Sequence, residues 1–235
     1  IIRGKGTMGN FSPLYIVDGV YTNDISYLNP ADIESIDILK DAASAAIYGS
    51  QAANGVVLVT TKTGRINQKP QITFDGFYGV QNVARKAQLL DAREYAIIMN
   101  EAAVNSGKSP YFTNEQIDNL AVNTNWLDHM IISDAPTQNY VLGVQGGSAG
   151  SIYSTSLGYT GQAGVVGGRE ISNYERYTFR INSEHNLYKN KVKIGEHLTF
   201  NYQKNNGIGI GNQYNNSLRG AFNTSPFVPV YDDQG

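Results

Sequence analysis

The chain of 235 residues has room for one large domain or two small ones. A formal net charge of −2 excludes a nucleic-acid partner held by clustered Lys and Arg, and the absence of cysteine excludes disulfides and thiolate metal sites. No apolar run is long enough for a membrane-spanning helix and no signal-peptide core is present. Both ends, Ile1-Ile2-Arg3-Gly4 and Asp232-Asp233-Gln234-Gly235, read as interrupted. The 16 tyrosines outnumber the 8 phenylalanines and single tryptophan together. Tyrosine suits surfaces that are apolar on one side and wet on the other, including barrel girdles and carbohydrate-contacting surfaces.

Residues 1 to 12 read as the tail of a strand followed by a Gly-rich loop. Leu14 to Val17 is a short β-rich run stopped by the turn pair Asp18-Gly19. Tyr21 to Asn29 is expected to be a loop. Its Tyr21, Asn23, Asp24 and Tyr27 make it a candidate for meeting a substrate, with a merely solvated loop the plainer reading. Ile33 to Lys40 is a second, mostly alternating run. Asp41 then suits the N-cap of a small-residue helix, Ala42 to Tyr48, ending at Gly49. So much alanine lets a helix lie close to a sheet, while Gly49 and Gly55 supply backbone freedom at either end of the connection. Ala52 to Gly55 is a turn, and Val56 to Thr61 is an apolar, β-branched third strand. By spacing alone this is an ordinary βαβ-like unit.

After Gly64 a polar hinge, Arg65 to Pro70, precedes a different texture. Gln71 to Val80 alternates, with Ile72, Phe74, Tyr78 and Val80 on one face and Phe77 breaking the pattern. Asp91 and Glu94 stand in capping-box spacing at the head of an amphipathic helix to Asn105, whose apolar stripe is Tyr95, Ile98, Met99 and Ala102. A second short helix is expected at Asn114 to Ala121, capped by Thr113 with Gln116 three residues on. With no Lys/Arg cluster on the polar face, these helices are expected to pack on protein rather than on a membrane surface.

Four further alternating strands follow. In Asn139 to Gly146, Tyr140, Leu142 and Val144 share a face. In Ile152 to Thr160, Tyr153, Leu157 and Tyr159 oppose Ser154, Ser156 and Gly158. In Tyr177 to Glu184, Tyr177, Phe179 and Ile181 oppose Arg180, Asn182 and Glu184. In Lys191 to Gln203, Val192, Ile194, Leu198, Phe200 and Tyr202 oppose Lys193, His197, Thr199 and Asn201. Glu196 falls on the apolar face of the last, where a charge is costly in lipid. Links after the second and fourth strands are short and the others long, the parity of an outer-membrane barrel with short periplasmic turns.

Signals for chemistry are sparse. His129, His185 and His197 stand at no metal-ligand spacing. Gly207, Gly209 and Gly211 lack the strand–helix context of a phosphate cradle and read as a flexible loop. Adjacent Asp232-Asp233 does not place two acids across a bond, and no nucleophile motif is present. The pattern indicates neither an enzyme nor a cofactor or metal site.

The stretch from Pro13 to Lys62, PLYIVDGV followed by ESIDILKDAASAAIYGSQAANGVVLVTTK, closely resembles the plug-domain signature of TonB-dependent outer-membrane transporters of the SusC/RagA type. That signature joins a PLYVVDGV-like strand, an ESI-x-VLKDA-x-AAIYG segment and A-A-N-G-V-(V/I)-L-(V/I)-T-T-K-x-G. Weaker similarities are Ile2-Arg3-Gly4, the Trp126-x-Asp128 pair, and the P-x-x-P-x-Y of Pro226 to Tyr231. The resemblance implies an α+β plug domain over residues 1–64, a hinge at 65–70, and over 71–235 the start of an antiparallel transmembrane β-barrel. About five strands are expected here out of about 22 in a plugged transporter. The implied activity is TonB-dependent import of a nutrient, most often an oligosaccharide, with a peptide as the alternative cargo. A non-transporting receptor, signal transducer or adhesin on the same barrel is the other class. The implied partners are a SusD-like surface lipoprotein, TonB through a segment outside these residues, and the lipid of a Gram-negative, Bacteroidetes-type outer membrane. On this reading Asp18, Gly19, Lys40, Asp41, Tyr48, Gly49, Asn54 and Gly55 are structural or gating residues of the plug, with no catalytic role. Lys40 and Asp41 are further candidates for ion pairs with a barrel wall, a solvated joint with Asp41 capping being the alternative.

Overall fold

The computed structural model of the chain describes residues 12–40, 46–188, 191–212 and 214–232. Two compact units are present, one made of residues 1–78, 138–160 and 175–203, the other of 79–137, 161–174 and 204–235.

The first unit contains a small mixed sheet, β1 (Leu14–Val17), β2 (Val20–Thr22), β3 (Ile33–Leu39) and β4 (Val56–Thr61), in the order β2-β1-β4-β3. Asp18 and Gly19 both take positive φ (47° and 87°), the geometry a two-residue hairpin needs, so Val17 pairs with Val20. The expected loop from Tyr21 therefore begins as strand β2. β1 runs parallel to β4, and β3 antiparallel to it. Alternate residues of β4 enter opposite cores. Val56 packs with Leu14, Ile16 and Ala52, joined by Leu39, Tyr48 and Leu58. Val57 and Val59 pack with Val17 and Leu28, joined by Tyr15, Ile25, Tyr27 and Ile33. A strand covered on both faces reads as an unbroken apolar run, as Val56 to Val59 does.

Of the expected helix Ala42 to Tyr48, residues 42–45 lie outside the described residues; Ala46–Tyr48 is a 3₁₀ turn, and a further 3₁₀ turn follows at Ser50–Asn54. Gly49 (φ 76°) separates them, and Gly55 (φ 96°) follows the second. Ala52 N–H donates to Gly49 C=O and Gly55 N–H to Ala52 C=O, spans of three residues that wind the chain with fewer residues per turn than an α-helix. Asp41 and its proposed N-cap lie outside the described residues, as does the strand tail before Ser12.

A second sheet holds β5 (Gln71–Gln81), β6 (Ala135–Gly147), β7 (Ser151–Ala163), β8 (Asn173–Leu187) and β9 (Val192–Asn206), each paired with its neighbour in sequence and not closed into a ring. The four later strands extend beyond the alternating stretches, because backbone pairing continues where the apolar pattern fades. In the first unit, Tyr177, Phe179, Leu198, Phe200 and Tyr202 are exposed on one face, while Ser154, Ser156, Thr178, Arg180 and Asn182 are buried on the other. Polar side in, apolar side out reverses a soluble sandwich and is the arrangement of a membrane barrel wall.

The second unit carries helices at Ala92–Asn105, Asn114–Asp118, Trp126–Met130, Gly168–Ile171 and Ser217–Asn223. Both expected capping boxes form, Asp91 with Glu94 and Thr113 with Gln116. The buried stripe of the first helix differs from expectation. Ala92, Ala96 and Ala103 are buried, whereas Ile98 is 47% exposed and Ala102 is exposed, because small alanines allow the closest approach. Tyr95 and Phe112 close on Phe227 at ring separations of 5.5 and 5.3 Å. The second helix stops at Asp118, where Asn119 Nδ2 takes the Glu115 carbonyl. Trp126 opens a short helix and its indole N–H donates to Ser225 C=O at 3.4 Å. No helix of the described residues is long and apolar enough to cross a membrane.

Candidate functional site

The polar face of β8 meets one corner of the small sheet. Thr61, fully buried at the end of β4, is the hub. Its hydroxyl donates to the Asp18 carboxylate at 2.6 Å, and its backbone N–H donates to the same carboxylate at 2.9 Å. The Thr61 hydroxyl oxygen accepts from Asn182 Nδ2 at 2.6 Å and Arg180 Nη1 at 3.2 Å. Arg180 also donates to Lys62 C=O (3.0 Å) and Ser154 Oγ (3.4 Å), and pairs with Asp32 at 3.3 Å. Lys62 N–H closes the corner by donating to Asp32 C=O at 2.8 Å. The Asp32 and Arg180 side chains are only 5% and 2% exposed. Stripping water from two charges costs several kcal/mol each, about what close pairing and further hydrogen bonds return. The network therefore acts less as a source of stability than as a device fixing one position of the small sheet on β8.

A second set of bonds lies around Ser26 and Asn29. Asn29 Nδ2 donates to Asn139 Oδ1 at 2.9 Å, Thr160 Oγ1 donates to the same oxygen at 3.0 Å, and Arg176 reaches Ser26 C=O. Between the sheets a cavity of about 270 Å³ is lined by Asp32, Lys62, Asp75, Ser156 and Arg180 among others. Ser156 Oγ and Arg180 Nε are buried without a hydrogen-bond partner. Buried polar atoms left unpaired are costly, so a cavity of this polarity suits water.

On the opposite face, rings cross the sheet from strand to strand. Phe74, Tyr140, Tyr159, Tyr177 and Tyr202 follow one another at 6.4, 6.5, 5.0 and 6.4 Å. Such a row, flanked by exposed Leu142, Leu157, Phe179 and Phe200, matches an aromatic girdle beside a lipid-facing band.

Residues 1–56 match the TonB-dependent Receptor Plug Domain family. Over 239 residues, 99% of the chain, it is 36% identical to TonB-dependent receptor P26 of Formosa agariphila. It is 30% identical over 243 residues to TonB-dependent receptor SusC of Bacteroides thetaiotaomicron. Among solved structures, the RagAB peptide transporter superposes over 96% of the chain with a TM-score of 0.77 at 26% identity. These residues are similar to a fragment of a SusC/RagA-type TonB-dependent receptor. They span 23% of the length of each of those two receptors and 28% of the matched RagAB chain.

By that similarity the small sheet corresponds to plug and β5 to β9 to wall strands. The signature residues divide by role. Asp18 and Gly19 form the hairpin turn, and Asp18 also holds Thr61. Tyr48 packs on the core cluster, Gly49 and Gly55 supply positive φ, and Asn54 Nδ2 reaches Ser12 C=O at 3.4 Å. Lys40 is exposed where β3 ends. In the loop, Tyr21, Asn23 and Asp24 are exposed, whereas Tyr27 is half-buried on the core and burial raises its phenol pKa. Hydrogen bonds from Ser26, its hydroxyl foremost and then its N–H, lower the Asp24 pKa.

Glu196 has a partner. Ser183 Oγ donates to its carboxylate at 3.0 Å, and His185 bridges Ser183 and Ser151, 3.0 Å from each. A serine hydroxyl has one proton, and Ser183 gives its own to Glu196, so His185 Nε2 donates to Ser183. Thr61, Asp32 and Asn29, the plug's partners for the wall, were not singled out by sequence reasoning. The signal available was an arginine and an asparagine on the inward face of a short strand, Arg180 and Asn182.

Proposed function

We propose that the protein imports a nutrient across the outer membrane with energy delivered through TonB. In this reading residues 1–64 are plug, 65–70 hinge, and 71–235 the first wall strands and their loops. The supporting observation is the buried network from Asp18 through Thr61 to Arg180 and Asp32. It holds a small folded sheet against the polar face of strands whose other face is aromatic and apolar. A sheet so held is a stopper, and a stopper needs a means of release, which a TonB-coupled pull supplies. A SusD-like surface lipoprotein is the proposed partner, in keeping with the similarity to SusC and to RagAB.

The proposed cargo is an oligosaccharide, for which the exposed Tyr21, Asn23 and Asp24 offer one aromatic and two polar groups. A peptide is the second reading, favoured by the similarity to a peptide transporter. The test is uptake by cells carrying the full-length receptor, with TonB intact or disrupted, supplied with labelled oligosaccharides or peptides. Uptake of one class that vanishes with TonB supports the reading and names the cargo. Uptake of neither class by a correctly inserted receptor, or uptake that survives loss of TonB, contradicts it.

A further inference from the structure

We propose that the plug corner formed by Asp18, Asp32, Thr61 and Lys62 stays attached to the wall while cargo passes, with Arg180 and Asn182 as the residues that position it. The inference rests on the import reading and adds which part of the plug does not yield.

The corner joins three plug segments that lie far apart in sequence. Asp18 brings the β1–β2 turn, Asp32 the entry to β3, and Thr61 and Lys62 the end of β4. Arg180 and Asn182 grip that junction at 2.6 to 3.3 Å through both side-chain and carbonyl oxygens. Detaching it would leave Arg180 and Asp32, both nearly inaccessible, without their counter-charges, a loss far larger than for an exposed pair. The exit is held as well. Gly64 lies so close to β6 and β7 that a Cβ there would stand 2.1 Å from Gly146 O and 2.5 Å from Tyr153 O. The corner is thus continuous with the wall both through space and along the chain.

The far end of β3, away from the corner, is built differently. Among the described residues β3 is outermost and pairs only with β4, and its Ile36 and Ile38 are 52% and 50% exposed. β3 is tied at its start, beside Asp32. Separation from its Leu39 end breaks β3–β4 pairing and leaves the corner intact. An edge strand with little buried side chain opens at lower free energy than a core strand, so the yielding part lies on the β3 side.

The test uses the full-length receptor in cells with a working TonB system. No cysteine occurs among the 235 residues, so an introduced pair has no competitor there. In T61C/N182C, oxidation joins corner to wall, and peptide mass analysis reports the bond. The expected result is no loss of uptake on oxidation. In I38C/V57C, a registered β3–β4 pair, oxidation is expected to abolish uptake and reductant to restore it. Loss of uptake in oxidised T61C/N182C, recovered on reduction, would overturn the proposal. Absence of TonB-dependent uptake in the unmodified receptor would instead defeat the import reading. Hydrogen exchange on the unmodified receptor gives a second readout that does not depend on either variant folding. The Lys62 amide should stay protected during transport, and exchange there would overturn the proposal.

Discussion

Arg180 is the side chain whose loss should matter most. Replacing it with methionine keeps the bulk but leaves the Asp32 carboxylate buried and unpaired, at a predicted cost of about 3–5 kcal/mol. Adding Asp32→Leu should recover much of that loss, since removing both charges removes the desolvation problem. Thermal unfolding of the detergent-solubilised full receptor, compared across the two single variants and the double, checks this. Equal destabilisation by Arg180→Met alone and by the double variant would point to ordinary packing. Asp24 gives a pH prediction. Its pKa lies below the ordinary 3.8 because Ser26 bonds its ionised form. The loop order this supports is fully present above 3.8 and is lost only as pH falls through the lower folded value. Ser26→Ala should move that loss to higher pH, measurable by NMR titration of the Asp24 carboxyl. At this scale the Asp18-Gly19 turn was legible because its signal is local. The bond from Asp18 to Thr61 was not, since it joins positions separated by 43 residues.

At the scale of elements, strands were easier to read than helices. Alternation around Tyr140, Leu157, Phe179 and Phe200 follows directly from one wet and one apolar face. Of the Ala-rich segment, Ala46–Tyr48 is a 3₁₀ turn, and Gly49 at positive φ ends it where the sequence placed the stop. The helix from Ala92 was placed correctly by its capping box, but its buried stripe followed close approach by alanines rather than hydrophobicity. Two element-level tests follow. Gly64→Ala should block correct seating of the hinge, because its Cβ would meet backbone of β6 and β7, with a cost of about 1–3 kcal/mol or more. Folded yield of the full receptor in the membrane reads this directly. On the outer face, Ser183→Ala strips the exposed Glu196 of its donor and should lower stability, whereas Glu196→Gln keeps an acceptor and should be tolerated. Thermal unfolding of the two variants should therefore separate them.

For the molecule as a whole, the plug signature and the strand pattern pointed to the same architecture, and similarity to receptors of this type agrees with both. What lay beyond the sequence was the way plug and wall are joined, because that depends on which inward polar residues meet after folding. The central claim is that this small sheet closes a pore. It is tested most directly by single-channel recording of the full-length receptor in planar bilayers, with and without residues 13–62. The intact receptor should be electrically silent, and the deleted form should show a steady, voltage-independent conductance. A deleted form that inserts, retains its barrel by circular dichroism and stays silent would contradict the account.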